Sequence, residues 1–397
     1  LRVFVGFDSA SGRRHQIART FIGTKREATL ELAKMVTEVN GGHLDRDHSG
    51  VTFSELLDAW LEHIRPTRRP TTIHESERSI EARIRPALGH IRLDRLSPRD
   101  LDVCYAKWLA GGLSASSVRR LHAVISASLN TAERWGWVAN SPARRCSPPP
   151  VHAKEVKTPT PEQLNRLYSE ANQRDPVLAT AIALAALTGA RRGELCALRW
   201  SDIDLAVSRL RLARSLTSAG SELFEGPTKT HQVRDVALDD VGVGVLTDRW
   251  QEMSDIAEQV GAPLVDDPYV LSYDPVGREP VDPGSITSSF SRLCRALEAP
   301  ARERAKGRGL ADKDRWPFRF HDLRHFSVTT LIAAGVDIRT VAERHGHAQA
   351  TMTLNRYAHA LPERDRHAAT VLGDTFTSTR ASRTSARPEL RAGGKAR

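Results

Sequence analysis

The chain has 397 residues, 40% of them hydrophobic, enough for two or three domains with cores of their own. Its 58 Lys and Arg against 48 Asp and Glu leave a net charge of +10, which favours a polyanionic partner without naming one. The longest strongly apolar run, 179–187, falls well short of the ~20 residues a membrane helix needs, and no basic start followed by an apolar block marks export. From 377 to 397 six basic residues (Arg380, Arg383, Arg387, Arg391, Lys395, Arg397) face one acid, Glu389, so that tail holds +5 and the body the other +5. Cys104, Cys146, Cys196 and Cys294 form no C-x-x-C pair; reduced, packed thiols in a cytoplasmic protein are expected, and a structural zinc is not.

Apolar residues alternate from Arg2 to Phe7, Asp8 to Gly12 supplies a turn, and Arg13 to Phe21 reads as a second strand. The chain opens at Leu1 inside this pattern, which predicts either an unusual start codon or a missing beginning. Thr24 with Glu27 forms a capping box that opens a helix through about Val39, giving a ββα unit over 1–48. Gly41 and Gly42 then mark a linker. A second box, Thr52 with Glu55, starts a helix whose Phe53, Leu56, Leu57, Trp60, Leu61 and Ile64 share one face. Helices at about Thr72 to Arg85, Ser97 to Leu109 and Ser116 to Trp135 complete a four-helix domain over 49–142.

Pro142, Pro148, Pro149 and Pro150 predict a stiff, extended linker over 143–159. Thr160 and Pro161 open a final domain over 160–374. Within it, Arg209 to Leu212 and Val233 to Leu238 read as strands of a small sheet around a loop. The helix from Asp240 to Val260 is expected to bury Leu246, Trp250, Met253, Ala257 and Val260, with helix from there to the tail. Residues 375–397 form a basic tail expected to be disordered. The fold class is therefore mostly α with small β-sheets, in several domains, and without 20–50-residue repeats.

Six residues read as a cationic pocket plus one phenol: Arg191, Lys229, His321, Arg324, His347 and Tyr357. Fixed cations suit a phosphorane, whose charge develops on non-bridging oxygens. Arg191 follows Thr188-Gly189, where an apolar helix ends; as a clamp its planar fork can meet two oxygens, and otherwise it is half of an exposed Arg-Arg pair. Glu194, one helical turn on, is placed to orient it, while Arg192 points elsewhere. Lys229 sits between two strand-like stretches, at a hairpin tip of the kind where idle lysines also accumulate. His321 and Arg324 lie one turn apart on one helix face. His321 and His325 make a poor metal pair, because Asp322 replaces the Glu of H-E-x-x-H and Arg324 would aim a cation at the metal. His347 follows Gly346 after an amphipathic segment, where a helix-capping histidine would look similar. Tyr357 is the one tyrosine placed after the whole cationic set.

The stretches TGARRGE at 188–194, HDLRH at 321–325 and HGH at 345–347, followed by YAH at 357–359, resemble in order and spacing the signature boxes of the tyrosine recombinases, the phage integrase family. The likeness runs from about Thr158 to Leu372. It implies an α+β tyrosine recombinase catalytic domain, a helical, SAM-like core DNA-binding domain, and a front module like the arm-binding ββα unit of many phage integrases. The less favoured alternative for the front unit is a small sheet that merely packs on the next domain. The resemblance assigns catalysis to Arg191, Lys229, His321, Arg324, His347 and Tyr357, through a 3′-phosphotyrosyl intermediate, with no cofactor or metal. His321 would serve as proton acceptor for the tyrosine or as a phosphate donor. Expected partners are double-stranded DNA attachment sites, a homotetramer on DNA, and accessory DNA-bending or directionality proteins, with no membrane. The chain departs from the pattern at His345, where the family carries a leucine. Two rivals are a type IB topoisomerase, disfavoured by the front module and the closely spaced C-terminal boxes, and a non-catalytic DNA-binding protein, disfavoured because all six residues are present.

Overall fold

A computed structural model of the protein describes residues 1–7, 14–40, 50–151, 157–228, 232–305, 309–310 and 314–346. The chain forms two compact units, Leu1–Lys154 and Glu155–Arg397. Both are mostly helical with small sheets, as the sequence predicts.

In the first unit, β1 (Arg2–Phe7) and β2 (Arg14–Ala18) pair antiparallel, with a register shift between Phe4 and Gly6. β2 is shorter than expected, ending at Ala18 rather than at Phe21. α1 (Lys25–Asn40) starts from the Thr24 backbone N–H donating to Glu27 Oε2 at 2.8 Å. α2 (Phe53–Ile64) carries the complete second box: Thr52 N–H donates to Glu55 Oε2 at 2.7 Å, and Glu55 N–H to Thr52 Oγ1 at 3.3 Å. Each such cap satisfies donors that a helix start would otherwise leave orphaned.

α3 (Pro70–Ser79) begins two residues earlier than expected, with Pro70 in its first turn, and the helical path then runs on to Leu88. It does so through a π-helical turn, Ile80–Ile84, before α4 (Arg85–Leu88). Pro86 explains the widening: it has no N–H to give, and its ring would collide with a carbonyl of a regular preceding turn. α5 (Pro98–Ala110) and α6 (Ala115–Arg134) close the bundle, with Phe53, Leu56, Leu57, Ile80, Ile84, Leu101, Ile125 and Leu129 in its core. The following residues lie against it: Ser147 N–H donates to Asp102 Oδ1 at 2.7 Å, and Ala143 is buried.

The second unit is built around α8 (Pro176–Thr188), preceded by α7 (Pro161–Asn172). α8 is apolar on every side and buried on nearly all of them, which a central helix requires. Asp175 caps it by accepting from Leu178 N–H at 3.1 Å. α9 (Arg192–Cys196) follows, then β3 (Ile203–Asp204), β4 (Arg209–Leu212), β5 (Arg214–Ala219), β6 (Glu222–Pro227) and β7 (Arg234–Ala237). β3, β4 and β7 form an antiparallel sheet in that order, with Leu212 opposite Arg234 and Leu210 opposite Val236. Between β4 and β7 the expected loop contains a hairpin, β5 with β6. Its polar sequence buries only Leu216, so alternation could not reveal it.

α10 (Asp240–Gln259) buries Leu246, Met253 and Ala257 as expected, but Trp250 is 41% exposed and Val260 is 53% exposed. Trp250 lies instead edge-on to Trp200, with ring centroids 4.8 Å apart, and Val260 stands at the C-cap. Beyond α10 the chain is not helix throughout. An irregular stretch runs through the bridge between Tyr269 and Arg199 and the bond from Val281 N–H to Leu271 O before α11 (Pro283–Ala305) begins. α12 (Phe320–Ala333) and α13 (Ile338–His345) complete the described structure.

Candidate active site

The site grows from two helix ends. α8 stops at Gly189, whose φ of +64° lies in the left-handed region that favours glycine. An added Cβ there would stand 2.2 Å from the His345 ring. The chain therefore turns in the tightest space available and delivers Arg191 at the start of α9. α13 stops at a second left-handed glycine, Gly346, with φ of +61°. These two turns are stitched together by arginines.

Arg324, on α12 and almost fully buried, donates through its two terminal nitrogens to Gly189 O and to His345 O. Arg191 donates from one terminal nitrogen to Gly346 O at 2.8 Å and from the other to Glu194 Oε1 at 2.8 Å. The two guanidinium groups thus meet on consecutive carbonyls, those of His345 and Gly346. Arg344 adds a further stitch, donating to Leu187 O at 3.0 Å and Ala237 O at 3.1 Å. Burial lowers its affinity for its proton.

Glu194 is 1% exposed and sits beneath Arg191. It accepts from the Arg191 backbone N–H at 2.8 Å, and from Arg234 at 2.6 Å on Oε2 and 3.2 Å on Oε1. Burial pushes its carboxyl upward, but the hydrogen bonds and charge of Arg234, with those of Arg191, outweigh this and hold it below the ordinary glutamate range. Sequence reasoning missed Arg234. The signal was present in the period of two along β7: Val236 faces inward, so Arg234 does too.

His321 is exposed on α12, one turn from Arg324, and its ring stands edge-on to His325 at 4.8 Å between centroids. His345, the departure from the family's leucine, is fully buried, with Nδ1 2.8 Å from Val341 O and Nε2 3.1 Å from Ser327 Oγ. It therefore packs against Gly189 as a core group with its polar atoms satisfied. Arg192 turns away from the pocket and donates to Thr287 Oγ1. Lys229, His347 and Tyr357 lie outside the described residues. Their described neighbours are Thr228, which is buried and donates to Gln232 O at 2.9 Å, and Gly346, the acceptor of Arg191.

The phenols of the four described tyrosines are all held above the ordinary tyrosine range. Burial raises the phenol of Tyr105 and of Tyr168. Burial together with a hydrogen bond to a carboxylate, Glu225 or Asp175, raises those of Tyr269 and Tyr273. The four cysteines form no disulfide, and burial pushes Cys104 up to about 11 and Cys196 and Cys294 up to about 12. Among the described residues no group of three or more His, Cys, Asp or Glu could hold a metal, and no helix is long and apolar enough to cross a membrane.

The family model described as "Phage integrase family" matches residues 157–364, and that of the "Phage integrase, N-terminal SAM-like domain" matches 52–109. The ICEBs1 integrase of Bacillus subtilis (strain 168) is 26% identical over 374 residues, covering 94% of this chain and 96% of that protein. A tyrosine recombinase XerC-like protein of Caldanaerobacter subterraneus is 24% identical, covering 91% of this chain and 92% of its own length. Among solved structures, the Tn1549 transposon integrase in complex with transposon right end DNA superposes with a TM-score of 0.66 at 20% identity, over 81% of this chain and 99% of that one. A lambda integrase dimer bound to a COC′ core site gives 0.55 at 19%, over 88% and 90%. The matched boxes, the paired arginines at the turn before His347 and the shared fold lead to one conclusion: the chain belongs to the phage integrase family and is a tyrosine-type site-specific DNA recombinase.

Proposed function

We propose that Tyr357 is the nucleophile and that Arg191, Arg324, His321, His347 and Lys229 serve a single scissile phosphate. The observation that carries this reading is the convergence of Arg191 and Arg324 on the carbonyls of Gly346 and His345, directly before His347. Two guanidinium forks anchored to one turn are preorganised, so they need not reorganise as charge develops on the phosphoryl oxygens. In the step proposed, Tyr357 Oη bonds to phosphorus and its proton passes to His321 or solvent. The bond to the 5′ oxygen breaks, and Lys229 supplies that oxygen with a proton. A 3′-phosphotyrosyl link results. A 5′-hydroxyl from a partner duplex reverses the step, so the phosphodiester energy is retained and no nucleotide cofactor is consumed.

Residues 1–48 act as an arm-binding module, 49–142 as the core DNA-binding domain, 143–159 as linker, 160–374 as the catalytic domain and 375–397 as a basic tail adding nonspecific affinity. The substrates are the double-stranded attachment sites of a phage or integrative element, met in the cytoplasm. Lambda integrase has been solved as a tetramer bound to a Holliday junction. The same assembly is proposed for this chain, with accessory proteins setting direction. Incubation with a nicked duplex carrying the element's end should give a covalent protein–DNA adduct that Tyr357→Phe abolishes and Arg191→Lys strongly reduces. An undiminished adduct with Tyr357→Phe would refute the assignment. Strand exchange between two sites separates a recombinase of this kind from a topoisomerase.

A further inference from the structure

We infer that Arg234 is a positioning residue: it shares the Glu194 carboxylate with Arg191, so that Arg191 keeps positive charge for the phosphate. The inference rests on the reading of Arg191 as a phosphate clamp. If Glu194 had Arg191 as its sole partner, a carboxylate 2.8 Å away would neutralise the very group that must meet an anion. Arg234 changes that balance. It grips both carboxylate oxygens and comes closer, at 2.6 Å.

Exposure points the same way. The Arg234 side chain is 8% exposed and that of Glu194 1%, whereas Arg191 keeps 21%. The buried pair is therefore screened least and holds the negative charge on the inner side. One carboxylate between two guanidinium groups leaves the trio at +1, with the exposed member facing outward. Arg191 spends two of its five donors on Glu194 and Gly346.

Arg234 is itself fixed. Its Nε donates to Arg344 O at 2.9 Å, and a Cβ on Gly346 would stand 2.9 Å from its terminal nitrogen, so the turn before His347 closes directly over it. A buried ion pair serving stability alone would be neutral and replaceable by apolar groups. This trio is charged, and an arriving phosphate completes it.

The test uses the full-length protein and a nicked duplex carrying the element's own end, reading the single-turnover rate of adduct formation alongside DNA affinity and thermal melting. Arg234→Gln should slow adduct formation by roughly tenfold, a fraction of the loss known for removing a transition-state donor outright. Adding Glu194→Gln to that variant should restore the rate by about threefold or more, because the neutralising carboxylate is gone. Arg234→Lys, which keeps the charge but loses the fork on both carboxylate oxygens, should be slowed less than Arg234→Gln. A double variant no faster than Arg234→Gln, or Arg234→Lys slowed by tenfold or more, would overturn the inference. If Arg234→Gln fails to fold, the Lys variant alone decides. An undiminished rate in Arg191→Lys would instead remove the clamp reading underneath.

Discussion

Gly189→Ala tests the turn that aligns the site. Glycine there adopts φ of +64°, and a methyl group would sit 2.2 Å from His345 Cδ2 and Nε2, well inside van der Waals contact. The left-handed conformation costs a side chain about 1–2 kcal/mol, and overpacking a filled site about 1–3 kcal/mol. Together they destabilise the second unit by about 2–5 kcal/mol, a large share of the ~5–15 kcal/mol available to a domain. Melting should fall by on the order of 10 °C for a unit of this size. Because Gly189 O also receives Arg324, adduct formation should slow as well. Denaturant unfolding gives the first quantity, and a double-mutant cycle with His345→Ala isolates the steric part. The combined variant should lose less than the two singles added, since removing the ring makes room for the methyl. A Gly189→Ala protein within about 0.5 kcal/mol of wild type would show that the helix end does not turn against His345 as described.

Glu194→Gln should differ from wild type in a pH-dependent way. The folded carboxyl sits below its ordinary value of 4.5, so its stabilisation is full above that pH and is lost as pH falls through the folded value. The stability gap between wild type and variant should accordingly narrow below pH 4.5, and a gap that widens there would contradict the assignment. Cys104, Cys196 and Cys294, pushed up to about 11, 12 and 12, should resist alkylation at neutral pH in the folded protein and react once it is denatured. Rapid native labelling of all three would refute their burial. Thr52→Ala removes one cap of α2 and should cost about 1 kcal/mol in the unfolding of the first unit, with the adduct chemistry of the second left intact.

What the sequence disclosed follows from the range over which each signal acts. The box at Thr52 with Glu55 was legible at once, because cap and partner are three residues apart. The orienting role of Glu194 was legible for the same reason. Arg234 was not: its partner lies 40 residues away, and an arginine in a strand ordinarily reads as a solvated edge. The β5–β6 hairpin escaped because its residues are polar on both faces. Trp250 misled because a tryptophan on an amphipathic helix implies core, whereas here it makes an exposed edge contact with Trp200. His345 stood out in the sequence only as a small departure from the family's leucine. It is a filled core position, its ring bonded to Val341 and Ser327 while its backbone carbonyl anchors Arg324.

The central claim is that one phenol, served by the arginines of this pocket, becomes bonded to DNA. The most direct measurement is to trap the protein on a nicked duplex, digest the adduct with protease, and sequence the DNA-linked peptide by mass spectrometry. The account predicts a single phosphotyrosyl linkage at Tyr357, lost in Tyr357→Phe without transfer to Tyr105, Tyr168, Tyr269 or Tyr273. A linkage at any of those four, or persistence of the adduct in Tyr357→Phe, would contradict it.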